Sequence, residues 1–329
     1  MSSRACHQKF GGGLGDCGVV SRTQVLTDAQ WGRIVPLLPT SDGKRGRRFV
    51  DHRPLVEGIR YRYRAGCSWR DLPVVFGPWQ TVWKRHRRFA GDGTWDAVLA
   101  VLLSEADSRG LVDWNVFVDS TVNRAHQHGT NTTHPPQTTG GLSNYTSLRV
   151  EPADHAVGRS RGGLSTKIHQ LCDGAGLPLV MLVGPGQGGD SPMLPHLLAT
   201  LKIHRFSGTA ADPRPGPGRP RTTSTALLGD KAYSFRKTRT LLRSRGIKAV
   251  IPEPSDQIGR RKSRGRAEGR PPALDTVAYK GRNVVERGFN TFKQWRALAT
   301  RYDKLTLTYR AGVVLRAVVL WLNTLGDTP

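Results

Sequence analysis

Three acidic residues are the strongest candidates for chemistry in this sequence. Asp119 follows the apolar residues 116–118, and Asp230 follows the apolar residues 226–228. Open α/β sheets bind ligands at the carboxyl ends of their strands, so both aspartates are predicted to lie at one edge of a sheet. Glu286 lies in a segment with helical periodicity and is predicted to reach the same place from a helix.

Three carboxylates that converge on one point repel one another unless a divalent cation neutralises them. Oxygen ligands of this kind favour Mg²⁺ or Mn²⁺ over zinc. A pair of such ions can activate a water or a 3′-hydroxyl and stabilise the leaving oxygen of an in-line phosphoryl displacement. A single aspartate more often forms a turn or caps a helix, so the hypothesis depends on the three acids together.

The predicted helix around Glu286 has one polar and one apolar stripe. The side chains within about 40° of Glu286, if the helix extends that far back, are Tyr279, Arg282, Asn290 and Lys293. The neighbouring apolar stripe, which can dock on a sheet, consists of Val285, Phe289, Phe292 and Trp295. An ordinary solvated face with salt bridges is the alternative interpretation of the polar stripe.

The charge of the chain indicates a polyanionic partner. Its 329 residues include 50 lysines and arginines against 25 aspartates and glutamates, a formal net charge of +25. Nucleic acid is the expected partner, and an anionic membrane surface is the second candidate. The longest apolar run, residues 313–322, is interrupted by Arg316 and is shorter than the roughly 20 residues of a membrane-spanning helix. Residues 1–25 lack the apolar region of a signal peptide, so we expect a cytosolic protein.

Two groups of cysteine and histidine residues could be taken for metal-binding sites. The 4 cysteines include no C-x-x-C pair, and the group formed by Cys6, His7 and Cys17 lacks a fourth ligand at a standard spacing. His126 and His128 begin a predicted loop, where contact with DNA or with solvent is favoured over metal binding. Neither group is predicted to bind a metal ion.

A dinucleotide-binding fingerprint, G-x-G-x-x-G, occurs at Gly184, Gly186 and Gly189. Pro185 stiffens this loop, and the acid that follows at a suitable spacing, Asp212, falls in a Pro-rich linker instead of at a second strand end. The glycines are therefore predicted to form a turn.

Residues 26–107 have helical patterns with clear end signals. Thr27 and Gln30 have the spacing of a capping box, and a helix with Pro54 in its first turn is predicted to end at Gly66. Pro78 opens a further helix, whose basic residues are Lys84, Arg85, Arg87 and Arg88. The order of short helix, turn and basic helix is typical of a helix-turn-helix DNA-binding domain, and a bundle with a solvated basic face is the alternative.

From Trp114 onward, short apolar runs alternate with turns and helices, which is typical of an α/β domain. Residues 167–171 and 179–183 flank an Asp-Gly turn and are predicted to form a hairpin. Mobile loops are predicted near 127–163, 207–224 and 253–275. The predicted units are a disordered extension over 1–25, a helical DNA-binding domain over 26–110 and an α/β domain over 111–329.

Two arginine-rich segments lie within the predicted loops. Residues 260–270 precede the Glu286 helix and are predicted to form a phosphate clamp that does not depend on DNA sequence. Residues 218–221 are similar to a minor-groove arginine hook, although a flexible charged linker is favoured there.

Four groups of residues match one known family. They are residues 117–126 (FVDSTVNRAH), residues 158–163 (GRSRGG), residues 229–234 (GDKAYS) and the spaced signature Y-(2)-R-(3)-E-(6)-K formed by Tyr279, Arg282, Glu286 and Lys293. With them, the chain resembles the insertion-sequence-five group of bacterial DDE transposases over most of its length. Residues 1–25 have no counterpart in that group.

The resemblance implies an RNase H-like catalytic domain, a mixed sheet flanked by helices, after a helical DNA-binding domain. Asp119, Asp230 and Glu286 would form the metal-binding triad for two Mg²⁺ or Mn²⁺ ions. Tyr279, Arg282 and Lys293 would contact DNA near the scissile phosphate.

The activity that the resemblance implies is transposition of an insertion sequence in the bacterial cytoplasm, close to the nucleoid. The enzyme would bind terminal inverted repeats, cleave DNA at the element ends and join the 3′-hydroxyls to target DNA. Because two ends must be paired, at least a dimer is expected in the active complex. The alternatives are an inactive relic that only binds DNA and an RNase H-like nuclease without strand transfer.

Overall fold

The computed structural model of the protein describes residues 25–43, 48–132, 149–209, 212–268 and 270–326. The helices are α1 (Asp28–Ile34), α2 (His52–Ala65), α3 (Trp79–Asp92), α4 (Thr94–Ser108), α5 (Gln127–Thr130), α6 (Leu194–Thr200), α7 (Arg236–Ser244), α8 (Ser255–Arg264), α9 (Thr276–Lys280), α10 (Asn283–Lys293), α11 (Arg296–Ala299) and α12 (Thr306–Leu325). The strands are β1 (Asn115–Ala125), β2 (Gly158–Ser160), β3 (Gly163–Cys172), β4 (Pro178–Pro185), β5 (Phe206–Thr209), β6 (Asp212–Pro215), β7 (Ala226–Leu228), β8 (Lys248–Val250) and β9 (Thr300–Arg301). Within these ranges, no helix is both long and apolar enough to cross a membrane.

Part of the predicted organisation lies outside the described residues. The extension expected over 1–25 is described only at Val25, and Cys6, His7 and Cys17 fall in the part that is not described. Residues 133–148 of the predicted loop over 127–163 also lie outside the described ranges.

The central sheet is mixed, as predicted. Its strands lie in the order β4-β3-β1-β7-β8, with β2 also paired to β3 and β9 also paired to β1. Strand β3 runs antiparallel to β1 and β4, whereas β7 and β8 run parallel to β1. The predicted hairpin over 167–171 and 179–183 corresponds to β3 and β4 and is confirmed.

Strand β1 is longer than predicted. The sequence indicated that the strand ends at Asp119, but its ladder with β3 continues from the pair Phe117–Cys172 to the pair Arg124–Ser165. The far end of β1 gains β9 as a second neighbour. Backbone pairing on both sides maintains the strand where its side chains are no longer a run of apolar residues.

The three predicted loops contain regular elements. Helix α5 and strand β2 occupy parts of 127–163, the hairpin of β5 and β6 overlaps 207–224, and α8 lies within 253–275. Arg221, predicted to lie in a flexible linker, stacks its guanidinium over the Trp114 ring at 3.7 Å from the ring centroid, and its backbone pairs with Ile203. The loop predictions are therefore corrected in these parts.

The end signals of the N-terminal helices are confirmed. Thr27 Oγ1 accepts a hydrogen bond from Gln30 N, and Gln30 Oε1 accepts one from Thr27 N, each at 3.2 Å. Helix α2 ends at Gly66 in the left-handed conformation, and α3 begins after Pro78. The short helix predicted before α3 is replaced by two 3₁₀ turns, Trp69–Asp71 and Val74–Phe76.

Helix α12 joins the N-terminal helices to the sheet. It packs against α3 and α4 on one side and β4 on another, and Trp321 Nε1 donates a 2.8 Å hydrogen bond to Pro178 O. A Cβ atom at Gly312 would lie 2.3 Å from the ring of Tyr63 in α2, so only glycine permits this close approach. One continuous buried cluster includes Leu55 of α2 and Val116 of β1.

A buried polar network lies between α2, α3 and the segment before α12. Asp303 Oδ2 accepts hydrogen bonds from Arg62 Nη1 and from the Tyr63 hydroxyl, both at 2.9 Å. His86 Nε2 lies 2.9 Å from the Tyr63 hydroxyl and 3.1 Å from Thr308 O. The network ties residues that are more than 200 positions apart in the chain.

The network predicts an acid-sensitive contribution to stability. Burial lowers the pKa of His86 from 6.5 to about 4, so protonation favours the unfolded chain, and this stability is lost as the pH falls from 6.5 towards 4. Between about pH 7 and about pH 5, the free energy of unfolding of the His86→Gln variant should fall by about 2 kcal/mol less than that of the parent. Urea unfolding at both pH values measures this, and His196→Gln, outside the network, should behave like the parent.

Gly66 predicts a local stability effect. Its φ of +73° is unfavourable for other residues, and a Cβ atom there would lie 2.7 Å from the Cβ of Arg296. We expect Gly66→Ala to lower the free energy of unfolding by about 1–3 kcal/mol. Gly32→Ala, in α1 with no atom within 4 Å of its Cβ position, should stabilise the protein by about 0.5–1 kcal/mol. Equal effects of the two substitutions in urea unfolding would contradict this explanation.

Candidate active site

The neighbouring strands β1 and β7 lead to two acids, Asp119 and Asp230. Their parallel register pairs Phe117 with Leu228, and Asp119 and Asp230 each follow two residues later. Phe117 and Leu228 are buried, which holds this register. The prediction that Asp119 and Asp230 come from adjacent strands is confirmed.

Asp230 leaves its strand in a tight turn. Its Oδ1 accepts a 2.8 Å hydrogen bond from Ala232 N and caps the 3₁₀ turn Lys231–Tyr233. A Cβ atom at Gly229 would lie 3.0 Å from Val118 Cγ1 and 3.2 Å from the Tyr233 ring. The small residue before Asp230 lets the chain turn close to β1.

Helix α10 carries Glu286 to these strands. Val285 and Phe289 of α10 form a buried cluster with Phe117, Leu228 and other residues of the sheet. This packing confirms the predicted apolar stripe. The Glu286 side chain is 59% exposed and lies on the polar side of the helix.

Arg282 links two of the three acids. Its Nη2 lies 2.9 Å from Asp119 Oδ2, and its Nη1 lies 3.6 Å from Glu286 Oε1. The sequence assigned Arg282 to the polar stripe of Glu286 but did not predict a contact with Asp119. One guanidinium therefore balances two carboxylates from different elements.

The protonation of Asp119 reflects opposing effects. Burial raises the pKa of its carboxyl group above the ordinary value, and the negative charges of Asp230 and Asp190 add to this. A hydrogen bond from Ser120 N to Asp119 Oδ1, at 2.8 Å, and the positive charge of Arg282 lower the same pKa. A cation beside Asp119 favours its charged form.

The donor atoms of the site fit a divalent cation that prefers oxygen ligands. Asp119, Asp230 and Glu286 offer carboxylate oxygens only, which suits Mg²⁺ or Mn²⁺. Among the residues that the structure describes, no three acidic, histidine or cysteine side chains lie close enough to bind one ion together. Arg282 binds Asp119 Oδ2 and lies 3.6 Å from Glu286 Oε1, so it stands where the positive charge of an ion would otherwise be needed.

The helix around Glu286 is interrupted, which corrects one part of the predicted stripe. Helix α9 ends at Lys280 and α10 begins at Asn283, so Tyr279 lies on a separate short helix. Tyr279 packs against the buried cluster of Val285 and Phe289, whereas Lys293 is exposed in the last turn of α10. Glu286 and Lys293 therefore share one helix, as the predicted polar stripe requires, but Tyr279 does not belong to it.

A fourth aspartate lies near the triad and was missed by the sequence analysis. Asp190 Oδ1 accepts a 2.6 Å hydrogen bond from Ser120 Oγ, and Lys167 Nζ lies 3.1 Å from the same oxygen. His169 Nδ1 is 3.5 Å away and fully buried. The signal was present in the order of residues, because Asp190 directly follows the glycine motif that was considered for a dinucleotide.

The turn predicted for the glycine motif is confirmed from Gly186 onward, whereas Gly184 lies in β4 and pairs with Lys167 of β3. Strand β4 ends at Pro185, and Gly186 packs so closely that a Cβ atom there would lie 2.0 Å from Ser165 Oγ. Gly188 O accepts a 2.8 Å hydrogen bond from Lys167 Nζ. The loop therefore packs on β3 and positions Asp190.

Helix α3 exposes some of its predicted DNA contacts but not all. Lys84, Arg87 and Arg88 are exposed, whereas Arg85 is 7% exposed. The guanidinium of Arg85 lies over the ring of Phe49 and contacts the ring of His52. The prediction of a DNA contact at Arg85 is corrected, since the residue is held inside by aromatic neighbours.

Of the two histidines that follow β1, His126 packs against Tyr302, and His128 packs against His126. The His126 ring lies 4.8 Å from the ring of Tyr302 and 4.8 Å from that of His128, measured between centroids. His126 N donates a 2.9 Å hydrogen bond to Arg301 O. His126 is half-buried at the far end of β1, whereas His128 is exposed to solvent.

Two family models match separate parts of the chain. The model described as "Transposase DDE domain" matches residues 112–321, which include Asp119, Asp230 and Glu286. The model described as "Putative transposase of IS4/5 family" matches residues 26–99, which include α3.

Three similar proteins come from bacteria. "Uncharacterized protein y4sN" of Sinorhizobium fredii is 40% identical over 104 residues, 31% of this chain and 78% of that protein. "Insertion element IS402 uncharacterized 16.2 kDa protein" of Burkholderia cepacia is 33% identical over 108 residues, 31% of this chain and 74% of that protein. "Putative transposase for insertion sequence element IS6501" of Brucella ovis is 29% identical over 160 residues, 49% of this chain and 100% of that protein. No solved structure matches this chain.

Proposed function

The chain belongs to the DDE-domain transposases of the IS4/5 family, whose catalytic domain is RNase H-like, and we propose that it cleaves and joins DNA at the ends of an insertion sequence. It binds terminal inverted repeats, cuts at the element ends and transfers the 3′-hydroxyls to target DNA. The observation that carries this proposal is the approach of acids from β1, β7 and α10, with Asp119 and Glu286 linked through Arg282.

In the proposed mechanism, Asp119, Asp230 and Glu286 would hold two Mg²⁺ or Mn²⁺ ions through their carboxylate oxygens. When bound, such ions lower the pKa of a water or hydroxyl nucleophile and stabilise the leaving oxygen. Asp119 is held by Ser120 N and by its strand, so its carboxylate keeps a defined direction. Arg282, released from a carboxylate, is positioned to contact a phosphate, and Lys293 extends the basic surface along α10.

DNA binding by the N-terminal helices is assigned to the exposed face of α3. The guanidinium of Arg87 lies 5.5 Å from the centroid of the Trp83 ring, and Arg88 lies over Phe49 at 4.7 Å, so aromatic rings hold both side chains in place. Lys84 of α3 is a further proposed DNA contact, and so is Tyr279 of α9.

The active complex is proposed to contain at least two copies of the protein, since two element ends must be paired.

We expect the Arg87→Gln variant to bind DNA more weakly and with a smaller dependence on salt. Each lost phosphate contact reduces the slope of log Kd against log salt concentration by about one. Fluorescence anisotropy with a labelled duplex over a salt series measures both quantities. Lys202→Gln, an exposed lysine outside α3, is the matched control. Unchanged affinity and slope for Arg87→Gln would remove this face of α3 from the interface.

The direct test of the proposed function uses a labelled duplex that carries the terminal sequence of the element together with a target plasmid. Cleavage at the repeat boundary and covalent joining to the plasmid, both dependent on Mg²⁺ or Mn²⁺, are expected. Tight binding without cleavage would favour an inactive relic that only binds DNA. Cleavage without joining would favour a nuclease without strand transfer.

A further inference from the structure

A cavity lined by arginines lies at the opposite end of α10 from the acidic site. Its volume is about 710 Å³, and its walls come from α1, α2, α12 and the end of α10. The lining residues used below are Arg60, Arg64, Arg316, Gln294 and Trp295. We call it the arginine cavity.

The arginine cavity holds more positive than negative charge. Arg60 Nη1 lies 2.7 Å from Glu57 Oε2, and the other oxygen of Glu57 accepts a 2.6 Å hydrogen bond from Leu26 N. Arg316 has neutral partners, Thr291 O and Gln294 Oε1. Within the described residues, no ion pair joins Arg64 or Arg316 to a carboxylate, so of these three guanidinium groups only that of Arg60 has a carboxylate partner.

Two of these cations are nearly removed from water. Arg60 is 6% exposed and Arg316 is 9% exposed, and Arg60 Nε has no hydrogen-bond acceptor in the part of the chain that the structure describes. Burial and the nearby charges of Arg60 and Arg64 lower the pKa of Arg316 to about 10. Buried charges are unfavourable unless they are paired, so this arrangement favours an anion in the cavity.

Packing alone explains only part of the arrangement. Arg316 caps the end of α10 through Thr291 O and lies 5.1 Å from the centroid of the Trp295 ring, which gives it a structural role. Arg64 is half-buried and follows Arg60 by one helical turn, and among the described residues it neither caps a helix nor lies over an aromatic ring. Its charge adds to the repulsion within the cavity and is explained better by a ligand than by the fold.

We propose that the arginine cavity binds a phosphate group of the DNA backbone, in addition to the contacts at the acidic site. This inference rests on the proposed function, because it assumes that DNA lies along α10. Gln294 lies about 12 Å along the helix axis from Glu286 and about 80° around it. At about 3.4 Å of axis per nucleotide, the contacted phosphate lies about three to four nucleotides from the one that reacts.

The arginine cavity also connects two parts of the protein. Arg60 and Arg64 belong to α2 of the N-terminal helices, whereas Gln294 directly follows the helix that carries Glu286. A phosphate between them contacts both parts at once. DNA bound in this way holds the N-terminal helices and α10 in a fixed relation.

The test measures DNA binding without cleavage. Arg64→Gln, Arg64→Lys and the control Lys202→Gln are compared with the parent in anisotropy titrations of a short duplex of arbitrary sequence, in EDTA and over a salt series. Arg64→Gln is expected to weaken binding about tenfold near physiological salt and to reduce the salt slope by about one. Arg64→Lys, which keeps the charge, should recover most of the affinity. Urea unfolding of each variant shows that its fold is retained.

Three results would overturn the proposal. Equal effects of Arg64→Gln and Lys202→Gln would show a general charge effect, and equal losses for Arg64→Gln and Arg64→Lys would show a structural one. The third measurement is the melting temperature of the parent and of Arg64→Gln with added inorganic phosphate at constant ionic strength. If phosphate raises the melting temperature of the parent but not of Arg64→Gln while DNA affinity is unchanged, the cavity binds free phosphate and not DNA. Because no cleavage is measured, this outcome is distinct from a failure of the proposed transposase activity.

Discussion

The Asp119→Asn variant is expected to lose DNA cleavage by about 10³-fold or more while it still binds DNA. Asparagine has nearly the same shape, so β1 and its buried neighbours are retained, but it lacks the charge that holds a divalent cation. Loss of several kcal/mol of metal-assisted stabilisation of the transition state corresponds to this factor. Affinity for DNA should be unchanged or slightly higher, because a negative charge near the phosphates is removed and Arg282 loses its 2.9 Å partner.

Single-turnover cleavage at saturating enzyme measures this prediction, with binding measured separately by anisotropy. Asp230→Asn and Glu286→Gln should give losses of the same order, since the three acids act on the same ions. Asp275→Asn is the control, because Asp275 caps α9 and pairs with Lys248 at 2.8 Å outside the triad. Cleavage at the parental rate by any of the three triad variants would exclude that residue from the metal site.

The largest expected effect on stability comes from Asp303→Ala. Asp303 is 6% exposed and accepts hydrogen bonds from Arg62 and Tyr63, so its removal leaves the buried guanidinium of Arg62 without a carboxylate. Breaking a buried pair in this way costs about 3–5 kcal/mol. Urea unfolding at neutral pH measures the loss.

An exposed ion pair supplies the matched control for Asp303. The side chain of Asp28 is 91% exposed and lies 2.6 Å from Arg53 Nη1, so Asp28→Ala should cost no more than about 1 kcal/mol. A loss below about 1 kcal/mol for Asp303→Ala would show that the network does not hold α2 to the segment before α12. Reduced cleavage by a folded Asp303→Ala variant would further show that this connection supports the active site.

Local sequence was sufficient for features that depend on neighbouring residues. The capping box of Thr27 and Gln30, the end of α2 at Gly66 and the apolar stripe of α10 follow from spacing alone, because each involves residues within one or two turns. That Asp119 and Asp230 come from neighbouring strands was also predictable, although Asp119 lies within β1 and only Asp230 follows the end of its strand.

Tertiary structure decided what depends on distant residues. The length of β1 comes from pairing with β3 and β9, and the interruption before α10 separates Tyr279 from Glu286, which helical spacing had placed together.

The sequence by itself determined which side chains could bind metal ions and phosphates, because these properties belong to residue types and local spacing. Only the tertiary structure decided which of them meet or remain accessible. It buried Arg85 among aromatic rings, brought Asp190 to Ser120 and gathered Arg60, Arg64 and Arg316 around one cavity. Burial and long-range contact depend on how remote segments pack, and no local pattern encodes that packing.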